Sequence, residues 1–394
     1  MFYLIVFLIL SVLAVLDMQI TAPNSKRVLL FLSAAILTLI AGLRVETGGD
    51  WDNYAGIYRD CPSLLQVFHT PTILFTQQVE AGYVLLCSIL KSFGAGMQWV
   101  LLIVATTNIS LIAVSLKRYT LYPVLGLVCY YCILYFSLEM IYIRQATAVA
   151  LCFYALRYVQ EKKVWKYMLL VIVACLFHRI AIVMIPFYWL LDRSYNIWAY
   201  ITIMAVGIVV MAIGILWFKP VFLNMSSLLG EGFYNKALEY ATSDRFAVSR
   251  TISIGFYLNA LIFAAVMLFK KEIEQLPYGK IQLNMFCLSL LMYYYGYELI
   301  EVSNRVRLFF LIGIIALLPM LLQVLQTNMS KLIATVPILL YCFSFSMHIF
   351  TEQPRAIAYN PYQNCIVMGI TGQKSTGAKR LQQSKQHFDK ERKR

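Results

Sequence analysis

Long apolar segments dominate this sequence and limit what the chain can fold into. Hydrophobic residues make up 61% of the 394 residues and charged residues only 13%, whereas a soluble globular domain has about 25% charged residues. A helix that crosses a membrane needs about 20 largely apolar residues, and the chain is long enough for roughly twelve of them. We therefore expect an all-α, polytopic integral membrane protein with about 12 transmembrane helices and no separate soluble domain.

The first apolar run begins near the N-terminus and lacks the basic start and small-residue cleavage site of a secretory signal, so we interpret it as the first span. Residues 82–91 are apolar but too short to cross a bilayer, which is typical of a helix that lies at the membrane surface. The predicted spans are residues 2–16, 28–43, 97–116, 120–138, 142–158, 164–177, 180–191, 196–217, 253–269, 282–299, 308–324 and 332–350.

Basic residues predict the orientation of these helices, because loops on the cytoplasmic side carry an excess of lysine and arginine. Alternate connections are basic, and we place them in the cytoplasm. The other connections then face outward, including two long loops at residues 44–96 and 218–252. Twelve spans would place the C-terminal tail outside as well. The basic connections contain Lys26, Arg27, Lys117, Arg118, Lys162, Lys163, Lys166, Arg193, Lys270, Lys271, Lys280 and Lys331.

The domain organisation follows from where the apolar runs stop. One transmembrane unit covers residues 1–362, and a basic tail covers residues 363–394. The net charge is +14, and residues 371–394 alone carry eight lysines and arginines against two acidic residues. A basic tail without interleaved aromatic residues or a folded module is typical of a disordered segment or of one that contacts lipid headgroups, rather than of a nucleic-acid partner. We expect this tail to be disordered.

Most of the nine cysteines lie inside apolar runs, where a free thiol behaves as a small hydrophobic side chain. No zinc-binding spacing is present. Cys61 and Cys365 lie in predicted loops, and they could form a disulfide in an oxidising compartment.

Charged residues at the outward ends of the helices are the most informative feature for function. Ionisable groups at membrane depth are costly and usually face a cavity or a partner. The alternative is that each arginine extends to the lipid headgroups, with Glu301 and Arg305 forming a solvated pair. The positive-inside rule predicts that arginines would instead be concentrated on the cytoplasmic face. Guanidinium groups match phosphate oxygens, so a ring of them suits a lipid-linked pyrophosphate. The residues are Arg44, Glu139, Arg144, His178, Arg179, Glu298, Glu301, Arg305 and Arg307.

Two further candidates have more than one interpretation. Asp50 and Asp52 could share a hard divalent cation, or they could stabilise the turn after Gly48 and Gly49 by bonding to their own backbone. His178 is the only histidine at a helix-end turn among these charges. A lone histidine is more often structural, but a side chain with an ordinary pKa near 6.5 can also act as a base towards a sugar hydroxyl.

Six short motifs occur in order along the chain, and together they resemble the EpsG-like family of Wzy-type polysaccharide polymerases. The motifs are Arg44 followed by Gly48-Gly49-Asp50-Trp51-Asp52-Asn53-Tyr54, then Glu80-Ala81-Gly82-Tyr83, Arg144-Gln145, Leu176-Phe177-His178, Asn304-Arg305 and Tyr359-Asn360-Pro361-Tyr362. The resemblance implies a GT-C-like, metal-independent glycosyltransferase in the bacterial inner membrane. Such an enzyme joins oligosaccharide repeats linked to undecaprenyl pyrophosphate at the periplasmic face.

The resemblance also implies roles for individual residues. Arg144 and Arg305 would bind the leaving pyrophosphate, with Arg44 and Arg179 as further ligands, since preorganised positive charge stabilises developing negative charge. His178 would be the base. Glu80 and Asp50 are the substitutes for that role. The residue before Asp50 is glycine where the family pattern has a small hydroxyl residue, which places the role of Asp50 in doubt.

The implied partners are the lipid-linked oligosaccharide, membrane lipid and a chain-length-determinant co-polymerase, with no cofactor, no metal and no nucleic acid. A flippase for lipid-linked sugars is the main rival, since twelve helices are also typical of transporters. Transporters generally have charges or broken helices at the midplane, whereas here the charges lie at the outer helix ends. The sequence is also compatible with an O-antigen ligase and with a purely structural partner protein.

Overall fold

A computed structural model describes residues 1–76, 79–228, 230–242, 249–250, 252–351 and 355–392. Within these residues the regular structure is helical, and the one extended contact is an isolated bridge between Arg44 and Asn364. The predicted all-α class is therefore confirmed.

In the first half of the chain, long apolar helices are separated by shorter ones, several of which are also apolar. A π-helical turn, Tyr131–Tyr135, connects two α-helices within one apolar segment. The helices are α1 (Phe2–Gln19), α2 (Pro23–Gly42), α3 (Trp51–Asp60), α4 (Leu64–His69), α5 (Ile73–Thr76), α6 (Ala81–Ser92), α7 (Met97–Tyr119), α8 (Pro123–Tyr130), α9 (Phe136–Leu138), α10 (Ile143–Gln160) and α11 (Val164–Cys175).

The second half begins with a 3₁₀ helix, Arg179–Tyr188, and continues with further α-helices. They are α12 (Ile197–Ile213), α13 (Phe218–Leu228), α14 (Glu231–Thr242), α15 (Ile254–Leu268), α16 (Lys270–Gln275), α17 (Gly279–Tyr295), α18 (Ile300–Leu311), α19 (Ile314–Gln323), α20 (Asn328–Thr351), α21 (Arg355–Tyr359), α22 (Cys365–Thr371) and α23 (Gly377–Arg392).

Helices α8 and α19 lie at the centre of the molecule. Every residue of α8 is buried, and so is every residue of α19 from Ile314 to Met320. Helices that are apolar on all sides are buried in this way. A Cβ at Gly126 would lie 2.9 Å from the carbonyl oxygen of Ile315, so the missing side chain allows the two helices to pack closely.

The outer helices expose large apolar side chains. Phe31 of α2, Trp165 of α11 and Leu268 of α15 are 71%, 84% and 80% exposed. In water such surfaces would be unfavourable, whereas in a bilayer they face lipid tails. This distribution is that of a membrane protein.

The number of membrane spans can be assessed from helix length and composition. Within the described residues, four helices are long and apolar enough to cross a membrane, or up to six if each bent pair is one span. The bent pairs are α12 with α13, at 101°, and α18 with α19, at 41°. Other predicted spans form shorter apolar helices, such as α11 and α15. The count of twelve stays a prediction.

Two predicted spans differ from continuous α-helices. Residues 180–191 form mostly 3₁₀ helix with Pro186 inside it, and proline removes a backbone donor from an α-helix. Residues 196–217 stop being helical at Ile213, where Gly214 adopts a left-handed conformation with φ 78°. Glu298 then accepts backbone N–H groups of Trp217, Phe218 and Lys219, at 2.7, 2.5 and 3.1 Å, and so caps α13.

The C-terminal tail differs from the predicted disorder, because it contains α22 and α23. Arg380 of α23 is buried and donates to the carbonyl oxygens of Pro361, at 2.9 Å, and Glu46, at 3.2 Å. Lys385 donates to Asp52 at 2.9 Å. The tail therefore packs against the loop that follows α2, on the same side of the molecule as that loop.

The predicted disulfide between Cys61 and Cys365 is not formed, since both cysteines are free. Cys61 is buried beside α6, where its Sγ lies 3.3 Å from the carbonyl oxygen of Val84 and 3.3 Å from Ser88 Oγ. Packing against α6 holds this thiol away from the tail.

Candidate functional site

Gly82 determines where the start of α6 lies. Its N–H donates to the carbonyl oxygen of Leu176 at 2.8 Å. A Cβ at this position would lie 2.8 Å from the same oxygen, so a side chain would clash there. Leu176 follows the last residue of α11, and His178 is two residues further on. The contact therefore brings Glu80, the N-cap residue of α6, close to His178.

Glu80, Arg144 and His178 meet in one cluster, called here the Glu80 cluster. Arg144, the second residue of α10, donates from Nη1 to Glu80 Oε2. His178 Nδ1 lies 3.3 Å from Glu80 Oε1. The Glu80 and His178 side chains are each 11% exposed, and the Arg144 side chain is 25% exposed. Each carboxylate oxygen of Glu80 thus has its own nitrogen partner.

The electrostatics of the Glu80 cluster keep the carboxylate charged. Burial raises the pKa of Glu80, but the contact with His178 and the charge of Arg144 outweigh burial and lower the pKa to about 2. Glu80 is therefore ionised at neutral pH. A carboxylate with so low a pKa is a weak base, and its two contacts can orient the Arg144 and His178 side chains.

His178 has one ring nitrogen that is not used by the protein. Its Nδ1 contact with Glu80 is longer and less well aligned than an ordinary hydrogen bond, and Nε2 is buried without a hydrogen-bond partner among the described residues. The imidazole ring lies parallel to the Phe309 ring, with centroids 6.4 Å apart and an interplanar angle of 8°. A histidine held in this way can accept a proton at Nε2.

Tyr54 of α3 connects the segment between α2 and α6 to Arg144. The Cζ atom of Arg144 lies 5.8 Å from the Tyr54 ring centroid, within the range of a cation–π contact. The Tyr54 ring in turn makes an edge contact with the Tyr83 ring at 5.8 Å. Arg144 Nε is buried and has no hydrogen-bond partner in the part of the chain that the structure describes. The guanidinium can therefore form a further hydrogen bond.

Arg305 lies on α18 and faces the start of α10. Its Nε and Nη2 donate to Glu301 Oε1 at 3.2 and 3.1 Å, and its carbonyl oxygen accepts from Gln145 Nε2 at 2.6 Å. Its Cζ lies 5.8 Å from the ring centroids of Tyr142 and Tyr240. Gln145 directly follows Arg144, so its bond to the Arg305 carbonyl holds the start of α10 against α18. Arg144 and Arg305 therefore lie on adjacent helices. Tyr240 belongs to α14, so the segment between α12 and α15 also reaches this site.

Comparison with known protein families finds a family whose model aligns with residues 27–364. This range covers most of the chain and includes the Glu80 cluster and Arg305. The chain belongs to the EpsG family. This family is polysaccharide polymerase-like, which places the chain in polysaccharide biosynthesis. No curated protein and no solved structure matches the chain.

In this EpsG-family chain, Arg44 is not brought into the Glu80 cluster by any described hydrogen bond. It is 4% exposed and donates from Nη1 to the carbonyl oxygen of Ala41 at 2.7 Å. Its charge acts on Glu139, which accepts hydrogen bonds from Tyr130 at 2.6 Å and Asn108 at 3.2 Å. These buried contacts are typical of a residue that stabilises the fold.

The other predicted site residues lie near the Glu80 cluster along the chain but have different contacts. Arg179 begins the 3₁₀ helix directly after His178 and is exposed. Asp50 is the N-cap residue of α3, and its Oδ1 accepts from Asn53 Nδ2 at 3.4 Å. Asp52 pairs with Lys385 of the tail. Asp50 and Asp52 therefore both have roles in local structure.

A metal centre would need several carboxylate, imidazole or thiolate ligands close together. Among the residues that the structure describes, no group of three or more such side chains could hold a metal ion. In the described site, positive charge is supplied by the guanidinium groups of Arg144 and Arg305.

Two further arginines have contacts typical of a binding site: Arg307, which the sequence grouped with the charged helix ends, and Arg250, to which it assigned no role. Arg250 precedes α15, and Arg307 lies on α18. Their Cζ atoms lie 4.0 and 4.9 Å from the ring centroid of Tyr293. The sequence contained one signal for Arg307, since this arginine directly precedes the apolar run that begins at Leu308. Arg250 had no comparable signal, because its partners are remote in sequence.

Proposed function

We propose that this protein is an oligosaccharide repeat-unit polymerase. It joins repeats linked to undecaprenyl pyrophosphate, transferring the growing glycan from its carrier to the next lipid-linked repeat. The product is an O-antigen or a related surface polysaccharide. Membership in a polysaccharide polymerase-like family supports the reaction class, and the all-helical fold with several apolar helices supports a lipid-linked substrate. The GT-C-like architecture of about 12 spans is part of the proposal.

The observation that carries this proposal is the Glu80 cluster, in which a buried carboxylate holds a histidine and an arginine at the ends of three helices. In the proposed reaction His178 Nε2 removes the proton from a hydroxyl of the acceptor sugar. The hydroxyl oxygen forms the new bond to the anomeric carbon of the growing glycan, and the bond from that carbon to the pyrophosphate oxygen breaks.

The departing carrier takes the bonding electrons and leaves as undecaprenyl pyrophosphate. Arg144 and Arg305 stabilise the negative charge that develops on this leaving group, because their guanidinium groups are already held in position. Arg305 would exchange part of its contact with Glu301 for the anion. No metal ion is needed in this scheme. Arg179 is exposed beside His178 and is a further ligand for the same group.

The Tyr54, Tyr142 and Tyr240 rings surround the two arginines. Aromatic rings provide flat apolar surfaces for the faces of sugars as well as cation–π contacts. Two of these tyrosines come from the outward loops, so the loops would help to position the glycan above the membrane. A chain-length-determinant co-polymerase would act on the same outer face.

Purified protein in detergent, supplied with a lipid-linked repeat, tests the reaction directly. We expect a ladder of longer glycans without nucleotide sugar and in the presence of a chelator. The His178→Ala variant should not form the ladder. The Arg118→Lys variant should form it, because Arg118 lies in a basic connection and is not part of the Glu80 cluster. Movement of the lipid-linked repeat across liposomes without new glycosidic bonds would instead show a flippase. Transfer to a lipid A core acceptor alone would show an O-antigen ligase.

The face of the membrane needs a separate test. We propose that the Glu80 cluster faces the periplasm of a bacterial inner membrane, because the basic connections lie at the opposite helix ends. A single cysteine introduced at Asp60 should react with a membrane-impermeant thiol reagent in cells whose outer membrane is permeabilised. A cysteine at Lys162 should react only after cell lysis. The reverse pattern would contradict the proposed orientation.

A further inference from the structure

Arg250, Arg307 and Tyr293 form a second positively charged cluster, on a different face of α18 from Arg305. Residues 305 and 307 point in roughly opposite directions around a helix of 3.6 residues per turn. Both guanidinium groups of the second cluster lie against the Tyr293 ring, at 4.0 and 4.9 Å. The ion pairs found among the described residues include neither Arg250 nor Arg307. By contrast, both arginines of the first site are paired with glutamates.

Arg250 already has a structural role in addition to its charge. Its backbone N–H donates to the carbonyl oxygen of Tyr297 at 2.7 Å, and its Nη1 donates to that of Tyr293 at 2.8 Å. These carbonyl groups lie at the C-terminal end of α17, where a positive charge is favourable. Its Nη2 donates to Asn304 Oδ1 at 2.7 Å. The bond to Asn304 holds Arg250 against α18, one turn from Arg307.

Arg307 has no comparable role. Its Nε is buried and has no hydrogen-bond partner among the described residues, and the same is true of the hydroxyl of Tyr294, on which the charge of Arg307 acts. Arg250 and Arg307 are both partly buried. A guanidinium that is partly removed from water without an anionic partner is costly, and a second positive charge nearby raises that cost. Burial, followed by the charge of Arg307, lowers the pKa of Arg250. Because arginine stays protonated in proteins, an anion between the two groups would relieve this repulsion.

We propose that Arg250 and Arg307 form a phosphate-class anion site, with Tyr294 as an additional hydroxyl donor. Paired guanidinium groups bind phosphate oxygens with directed, charge-assisted hydrogen bonds. The anion is either the pyrophosphate of a lipid-linked glycan or the headgroup of an anionic phospholipid. Its assignment to the lipid-linked glycan rests on the proposed function, whereas the anion site itself does not.

Thermal unfolding in a phosphate-free detergent such as dodecyl maltoside, with inorganic pyrophosphate as the probe, tests this site. The wild-type protein should gain stability as pyrophosphate is added, because a ligand that binds only the folded state stabilises it. Arg307→Gln should weaken the apparent affinity for pyrophosphate by about tenfold or more, since a charge-assisted hydrogen bond is lost. Arg118→Gln is the matched control and should respond as the wild type does.

The same variants separate a binding role from a structural one. Without pyrophosphate, Arg307→Gln should be at least as stable as the wild type, because one of two partly buried charges that repel each other is removed. A variant that is less stable without the anion but keeps the wild-type response to pyrophosphate would overturn the proposal. A wild-type protein that pyrophosphate and anionic lipid both fail to stabilise would overturn it as well.

Two further measurements identify the source of the anion. Neither of them depends on the outcome of the polymerisation assay. Stabilisation by phosphatidylglycerol nanodiscs but not by pyrophosphate, lost in Arg307→Gln, would support the site and assign it to a lipid headgroup. Protection of Arg250 from phenylglyoxal by pyrophosphate, read by mass spectrometry, would support the site even if no glycan ladder forms. Failure of the polymerase proposal is therefore distinguishable from failure of this one.

Discussion

Replacing Glu80 by glutamine removes the charge that holds Arg144 and His178 together and keeps the shape of the side chain. Glutamine resembles the protonated form of Glu80. The net pKa shift from 4.5 to about 2 therefore measures how strongly the folded protein favours the charged form. At 1.36 kcal/mol for each pKa unit, the loss is about 3 kcal/mol. The Glu80 side chain is only 11% exposed, so solvent screening reduces this figure little.

The pH dependence of the stability difference follows from the direction of the shift. The folded-state pKa of Glu80 is depressed, so its contribution is fully present above the unfolded pKa, which is near 4.5. The contribution is lost as the pH falls through about 2, where the folded protein also binds the proton. The wild type and Glu80→Gln should therefore differ most above pH 4.5 and converge as the pH falls towards 2.

Thermal unfolding in detergent at neutral pH measures this difference, and we expect a fall in Tm of about 5 °C. Glu301→Gln is the matched stability control. It breaks a partly exposed pair four residues apart on one helix, with side chains 27% and 30% exposed, which is worth about 0.5 kcal/mol. Polymerisation by Glu80→Gln should be about a hundredfold slower, because His178 and Arg144 lose their orientation. Wild-type stability and turnover in Glu80→Gln would refute the reasoning.

Arg144→Lys and Arg305→Lys should each slow polymerisation by about a hundredfold to a thousandfold, because an ammonium cannot replace a preorganised guanidinium fork. Single-turnover rates of folded variants measure this, and near-normal rates beside an Arg118→Lys control would exclude a pyrophosphate role. His178→Ala should lose activity that partly returns at higher pH, where the acceptor hydroxyl ionises more readily; a pH–rate profile parallel to that of the wild type would exclude a base. Turnover should survive chelation, and activity that is lost in chelator and restored by magnesium would require a metal site.

Much of the fold was predictable because few backbone conformations are stable in a bilayer. A backbone in hydrocarbon must satisfy its own hydrogen bonds, so the apolar runs predicted helices, and α1, α2 and α7 lie close to their predicted positions. The bent pair α12–α13 was not predictable, because the bend depends on Glu298, which caps α13 from about 80 residues away in sequence. The basic charge of the tail led to a prediction of disorder. In the structure, however, Arg380 donates hydrogen bonds to carbonyl groups of α21 and the loop that follows it.

For the candidate site, the sequence identified Arg144, His178 and Arg305 because charged residues at helix ends in a membrane protein need partners or substrates, and the family resemblance added Glu80. It could not predict which of them would meet. Glu80 contacts Arg144 across 64 residues of sequence, and it also reaches His178 because Gly82 allows α6 to approach the end of α11. Arg44, equally prominent in sequence, is buried in a different environment. Helical periodicity is a local property, whereas contacts between helices depend on the packing of many side chains, and only the tertiary structure determines that packing.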